Sequence, residues 1–217
     1  MKIICVSASN VEQARPNSAS THTCELIREI LLAKPSLHAE VEIVPLVDYG
    51  LTPCNMCGKC FETGRCNDDK QFNLIFEKLI GADGLFFVVP HYATIPSKLV
   101  MLLEKLEEIM YLKTYDDPDY RSPLYKKPVG IIAHGGQTEE AISYYKSALL
   151  DPMATALTSV QMQVVGASEK WPYGVAFGVK NISKRPDSIF VEIEHDWSSI
   201  QERIRPLVAN VVQKIAA

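Results

Sequence analysis

Gly84-Leu85-Phe86-Phe87-Val88-Val89-Pro90 is the stretch on which the fold turns. The run is too short for a typical buried helix, is rich in aromatic and β-branched residues, and is bounded by glycine and proline, so it reads as a strand. A strand with one wet face alternates polar and apolar residues. This one does not, so helices must cover it on both sides, as in the middle of a parallel sheet.

On the N-terminal side, Lys2 to Val6 is a short first strand that runs into a polar loop. Leu26, Ile27, Ile30, Leu31 and Leu32 mark a helix ending before Pro35, and Val41-Glu42-Ile43-Val44 is a second strand closed by Pro45. Asp68 or Asp69 caps a helix whose apolar face is Phe72, Ile75, Phe76, Leu79 and Ile80, with Gly81 near its end. Beyond the central run, a helix from Pro96 or Ser97 to about Met110 precedes a tyrosine- and proline-containing insertion over 111–128. Val129 to Ala133 is a fourth strand, a weaker helix covers roughly 138–156, and Gln161 to Val165 is a fifth strand. Residues 167–190 read as irregular, and a helix over 197–216 contains Pro206, which implies a kink or a restart. Strands alternating with helices predict a single α/β domain over 1–217, a three-layer, doubly wound parallel sheet of order 2-1-3-4-5. Its ligand belongs at the carboxyl ends of the strands, beside the first and third.

The chain has 217 residues, 47% hydrophobic and 22% charged, enough to bury a full core. Its formal net charge of −4 gives no basic footprint, which argues against nucleic acid. No apolar run approaches the ~20 residues of a membrane span. The opening strand turns polar at Ser7, too soon for a secretory signal, so the expected location is the cytoplasm.

Three loops at strand ends carry the candidate chemistry. The first, Ser7 to Thr21, offers the hydroxyls of Ser7, Ser9, Ser18 and Ser20, with Arg15 and Asn17, at the start of a helix. Helix N–H groups and the helix dipole there suit a phosphate, although a plain capped loop has the same residue types. The loop is neither G-x-G-x-x-G nor a Walker loop, which disfavours an adenine dinucleotide or ATP on it. In the second loop, Pro90, His91, Tyr92 and Ala93 can form a stiff wall against a flat ring, or simply pack. In the third, His134-Gly135-Gly136 allows a ligand close to the backbone, or is a simple turn.

Four of the six cysteines, Cys54, Cys57, Cys60 and Cys66, follow C-x2-C-x2-C-x5-C. In a cytosolic chain that spacing suits a four-iron cubane or a zinc ion, the alternative being structural or redox-active thiols without metal. Cys5 and Cys24 read as small buried hydrophobes.

Taken together these features resemble the NADPH-dependent FMN reductase-like branch of the flavodoxin-like superfamily, and within it the iron–sulfur flavoproteins. Ser7-Ala8-Ser9 and Arg15-Pro16-Asn17-Ser18 are similar to that family's S-G-S-P-R and N-S elements, with Ala8 for glycine and Asn10 to Ala14 inserted. The cysteine run, Pro90-His91-Tyr92 with Ser97-Lys98-Leu99, and His134-Gly135-Gly136 match its other motifs over roughly residues 1–166. The resemblance implies FMN on the three loops, NAD(P)H as co-substrate, a [4Fe–4S] cluster on the four cysteines, and electron passage to a small acceptor such as a quinone or a flavin. It names no protein acid or base as catalytic. The alternatives are a non-enzymatic electron carrier and a metal-binding module without flavin. A homodimer or homotetramer is expected to cover the flavin through the tyrosine-rich segment from Tyr111 to Tyr125.

Overall fold

Strand β3 (Gly84–Pro90) is buried at all seven positions. Its side chains divide strictly between two cores: Leu85, Phe87 and Val89 face one, Phe86 and Val88 the other. The neighbouring β1 (Lys2–Ser7) divides likewise, with Ile4 and Val6 on one side and Ile3 and Cys5 on the other. Each large apolar side chain so buried contributes roughly 1.5–3 kcal/mol, so both layers of helices are held by the same few strands. The computed structural model describes residues 1–189 and 191–217, the side chains of Arg15 and Pro16 excepted.

The sheet is parallel throughout. β1 lies between β2 (Glu40–Pro45) and β3, and β3 pairs with β4 (Pro128–Thr138). The expected order is observed, with one refinement at its far edge. β5 (Gln163–Val165) pairs only with the start of β4, and a second strand, β6 (Val175–Val179), takes over beside Ile132 to His134 and Thr138. The position beyond β4 is thus shared by two short strands. Between them Gly174 has φ +139°, and a Cβ there would stand 2.1 Å from the carbonyl oxygen of Ile131, so only glycine passes.

Helices α1 (Ala19–Leu32) and α7 (Trp197–Ala216) cover one face. The other is covered by α3 (Lys70–Ile80), α4 (Ser97–Asp116) and α6 (Asp151–Ser159). Two further helices, α2 (Cys60–Thr63) and α5 (Ile142–Tyr145), are single turns. Asp69 caps α3 by accepting the N–H of Phe72, and Gly81 closes it.

Several expectations are corrected. The helix from Ser97 does not stop near Met110 but continues to Asp116, so the loop insertion placed at 111–128 shrinks to 117–127. α2 docks on this extension, where the Lys113 ammonium lies 5.3 Å from the Phe61 ring centroid. The 167–190 stretch is not irregular. It contains β6 and then β7 (Asn181–Lys184), which forms an antiparallel ribbon with β8 (Val191–Glu194). Pro206 causes no restart, since α7 runs unbroken through it. Among the described residues, no helix is long and apolar enough to cross a membrane.

Candidate functional site

A cavity of about 330 Å3 opens at the carboxyl edge of the sheet, inside the ~300–1,000 Å3 range of small-ligand sites. All three predicted polar segments line it, although the third, His134-Gly135-Gly136, is not a loop but the continuation of β4. The first gives Ser9, Asn17, Ser18 and Ser20; the second Pro90, His91 and Tyr92; the third His134, Gly135 and Gly136. Ser7 and Ala93 do not line it, and the Arg15 side chain lies outside the described residues.

Beneath the first loop is a buried chain of hydroxyls. Ser18 Oγ accepts the N–H of Thr21 at 3.1 Å and donates to Thr21 Oγ1 at 2.9 Å, and Thr21 Oγ1 lies 2.9 Å from Ser7 Oγ. Ser18 is therefore the N-cap of α1, and its proton is directed inward. Ser7 sits below the cavity in the same chain. Asn10 ties the loop to the start of α4, donating to Ser97 Oγ at 3.1 Å.

The second loop holds two consecutive non-glycine residues in left-handed backbone, Ala93 (φ +44°) and Thr94 (φ +72°), an arrangement that costs energy and marks functional loops. His91 anchors it, donating its N–H to the His134 carbonyl and placing Nε2 3.0 Å from the Tyr144 hydroxyl. In the last part of β4 a Cβ on Gly135 would stand 2.3 Å from the Tyr145 hydroxyl, so a larger residue there must displace that buried ring. That hydroxyl accepts the Gln137 N–H at 3.0 Å.

His134 is buried at the cavity floor. Its Nε2 lies 2.8 Å from Ser20 Oγ, and its ring stacks on Phe177 with centroids 5.1 Å apart and planes 3° from parallel. Burial, aided by His195, depresses its pKa to about 3, so the ring is neutral at ordinary pH. Burial, with His22 nearby, depresses His195 as well.

The far wall comes from a part of the chain to which sequence reasoning gave no role. Val179, Ile193 and His195 line the cavity, and His195 stacks on Trp197 at 4.5 Å. A signal was present in Val175-Ala176-Phe177-Gly178-Val179, an apolar run like the central strand. No lysine or arginine lines the cavity among the described side chains. An anion there meets hydroxyls, amides and the N-terminus of α1.

A second cavity lies on the flank of the sheet. Cys54, Cys57, Cys60 and Cys66 all line it, with Thr52, Lys105 and Glu108. All four are free thiols. Among the described residues, however, no three His, Cys, Asp or Glu side chains are arranged to hold a metal ion. The cavity's wall on α4 begins eight residues after Ser97, ~12 Å along the helix.

Behind this cavity is a buried ion pair. Lys105 Nζ lies 3.0 Å from Asp69 Oδ2, the two side chains being 3% and 2% exposed, and Lys105 also donates to the Thr52 carbonyl. Asp69 accepts the N–H and hydroxyl of Thr52 at 3.0 and 3.1 Å. Burial pushes the Asp69 carboxyl up, but the N–H groups of Thr52 and Phe72 and the Lys105 ammonium outweigh it and hold its pKa below the usual value. Burial, then the Glu108 carboxylate, pushes the Cys60 thiol up.

Residues 1–169 match the sequence profile of the NADPH-dependent FMN reductase family. An iron–sulfur flavoprotein of Methanocaldococcus jannaschii is 32% identical over 106 residues, 48% of this chain and 51% of that protein. The chain thus spans about half the length of the curated relative it matches. Two solved structures share the fold. One is an oxidoreductase from Corynebacterium diphtheriae, 17% identical with TM-score 0.61, covering 99% of this chain and 96% of that one. The other is FerB of Paracoccus denitrificans, a flavoenzyme NAD(P)H:(acceptor) oxidoreductase, 10% identical with TM-score 0.57, covering 99% and 97%.

Proposed function

The chain belongs to the NADPH-dependent FMN reductase family, and from that membership we propose that it is an FMN-dependent oxidoreductase carrying electrons from a nicotinamide or other donor to a small acceptor such as a quinone or a flavin. The observation that carries the reading is one cavity that gathers two strand-end loops and the His134-Gly135-Gly136 part of β4. Its chemistry fits FMN: neutral donors and a helix N-terminus, with a glycine pair beside Pro90 to Tyr92. Ser9, Asn17 and Ser20 would hold the phosphate, and His91, Tyr92, Gly135 and Gly136 would flank the ring. FMN, when bound, supplies hydride acceptance and one- or two-electron release. The protein's own residues bind and orient it, and Val179 and Ile193 supply an apolar wall.

Purified protein incubated with excess FMN and desalted should retain about one flavin per chain and oxidise NAD(P)H when a quinone is supplied. Flavin at background would overturn the reading. Full flavin with no steady-state oxidation of either nicotinamide would assign the protein as an electron carrier instead.

The second part of the proposal is that Cys54, Cys57, Cys60 and Cys66 hold a [4Fe–4S] cluster. Its support is the shared lining of one cavity by four free thiols and the likeness to an archaeal iron–sulfur flavoprotein; loading the cluster would require the four side chains to turn toward one centre. The group would supply one-electron transfer, and loading it would release thiol protons, since the ligands bind as thiolates. Anaerobic reconstitution with iron and sulfide should give about four irons per chain. Iron at background with FMN fully bound would return the cysteines to structural or thiol-redox roles.

A further inference from the structure

We propose that His134 sets the hydrogen-bond polarity of Ser20, donating from Nε2–H to Ser20 Oγ so that the Ser20 hydroxyl proton points into the cavity as a donor to the ligand's phosphate. The inference rests on the FMN reading above and assigns His134 as a positioning residue for anion recognition.

Ser18, the most obvious hydroxyl donor of the loop, is spent as the cap of α1: its oxygen accepts the Thr21 N–H and its proton goes to Thr21 Oγ1. Ser7 is withdrawn beneath the cavity in the same chain. No lysine or arginine stands in the described lining to replace them. Two buried hydroxyls of the lining keep their direction open: Ser9, whose oxygen accepts the Val11 N–H at 3.2 Å, and Ser20, in the first turn of α1, which alone of the two has a side-chain partner, His134 at 2.8 Å.

The imidazole plane is held beside Ser20. Its ring is pinned flat on Phe177, and its backbone lies in β4 between β3 and β6. Being buried and neutral, it carries a proton on one ring nitrogen and a lone pair on the other. With the proton on Nδ1, Nε2 would accept from Ser20 and leave only serine lone pairs toward an anion, which is repulsive. With the proton on Nε2, Ser20 accepts from the ring and donates onward, and a hydrogen bond to a charged oxygen is about twice as strong as a neutral one. A phosphate in the cavity therefore selects the Nε2–H tautomer, and the His134–Ser20 contact prepares the site for it.

The test compares FMN with riboflavin, which lacks the phosphate, in the wild type, Ser20→Ala, His134→Phe and the double variant. Phenylalanine retains the stack on Phe177 while removing the nitrogen. Each single variant should weaken FMN about tenfold with riboflavin unchanged, and the double variant should lose no more than the worse single one. Nitrogen chemical shifts of His134 in the FMN-loaded wild type should show Nε2 protonated. Equal weakening of FMN and riboflavin, additive losses, or a bare Nε2 in the loaded protein would each overturn the assignment. Failure of the wild type to bind FMN at all would instead refute the functional reading beneath it.

Discussion

Acidifying the protein from pH 7 to pH 5 should destabilise it chiefly through its buried histidines. In the unfolded chain His134 titrates near 6.5, and in the folded protein burial and His195 hold it at about 3. Above pH 6.5 both states are neutral and the group contributes no pH dependence. Below it the unfolded chain binds a proton that the folded protein refuses, so stability falls with decreasing pH until about 3. The slope is about 1.36 kcal/mol per pH unit for one proton, which amounts to about 2 kcal/mol between pH 6.5 and 5. The groups facing His134 do not reverse the sign. Ser20 and Phe177 carry no charge, and His195, itself depressed by burial and by His22, adds loss in the same direction. Asp69 and Glu42, both held below their ordinary values of 3.8 and 4.5, begin to contribute only at the acid end of this range. Urea unfolding without added flavin, at half-unit steps from pH 7.5 to 5, should show the wild-type slope rising below pH 6.5. His134→Gln should lower it by about one proton. If the variant and the wild type show the same slope between pH 6.5 and 5, His134 is not the group responsible and its described burial is wrong.

Three other perturbations probe separate parts of the molecule. Gly135→Ala should cost roughly 1–3 kcal/mol in urea unfolding, since the methyl would meet the Tyr145 hydroxyl at 2.3 Å; unchanged stability would mean the last part of β4 packs otherwise. Lys105→Met should cost about 3–5 kcal/mol by leaving the Asp69 carboxylate buried without its cation, and adding Asp69→Asn should recover part of it; a loss below 1 kcal/mol would show the pair to be solvated. Oligomerisation is expected through the tyrosines of α4 and the loop after it, where Tyr111 and Tyr115 are 63% and 82% exposed. Light scattering should then report a dimer or tetramer that Tyr111→Glu with Tyr115→Glu dissociates, and a wild-type monomer at micromolar concentration would exclude that interface.

What the sequence determined by itself is the layered architecture and the edge at which the cavity lies. The evenly apolar Gly84 to Val89 run demanded helices on both faces, and the alternate division of Leu85 and Phe86 between two cores meets that demand within one strand. Ser9, Asn17, Ser20, Pro90 and His134 were legible as site candidates because strand carboxyl ends follow from topology, and topology from the alternation of elements. The helical reach of α4 to Asp116 was hidden by the polar tyrosine-rich composition of the segment, although α2 packs upon it. The far wall of the cavity was also out of reach. Gly166, Pro172 and Gly174 punctuate the chain as a loop would, and whether β6 returns to the sheet depends on its pairing with β4, some forty residues earlier. The meeting of Ser20 with His134, 114 residues apart, was likewise decided by tertiary contacts. Spacing along a chain limits which atoms can meet locally, as Ser18 meets Thr21 in the helix cap, whereas a partner such as His134 is brought within hydrogen-bond distance only by folding.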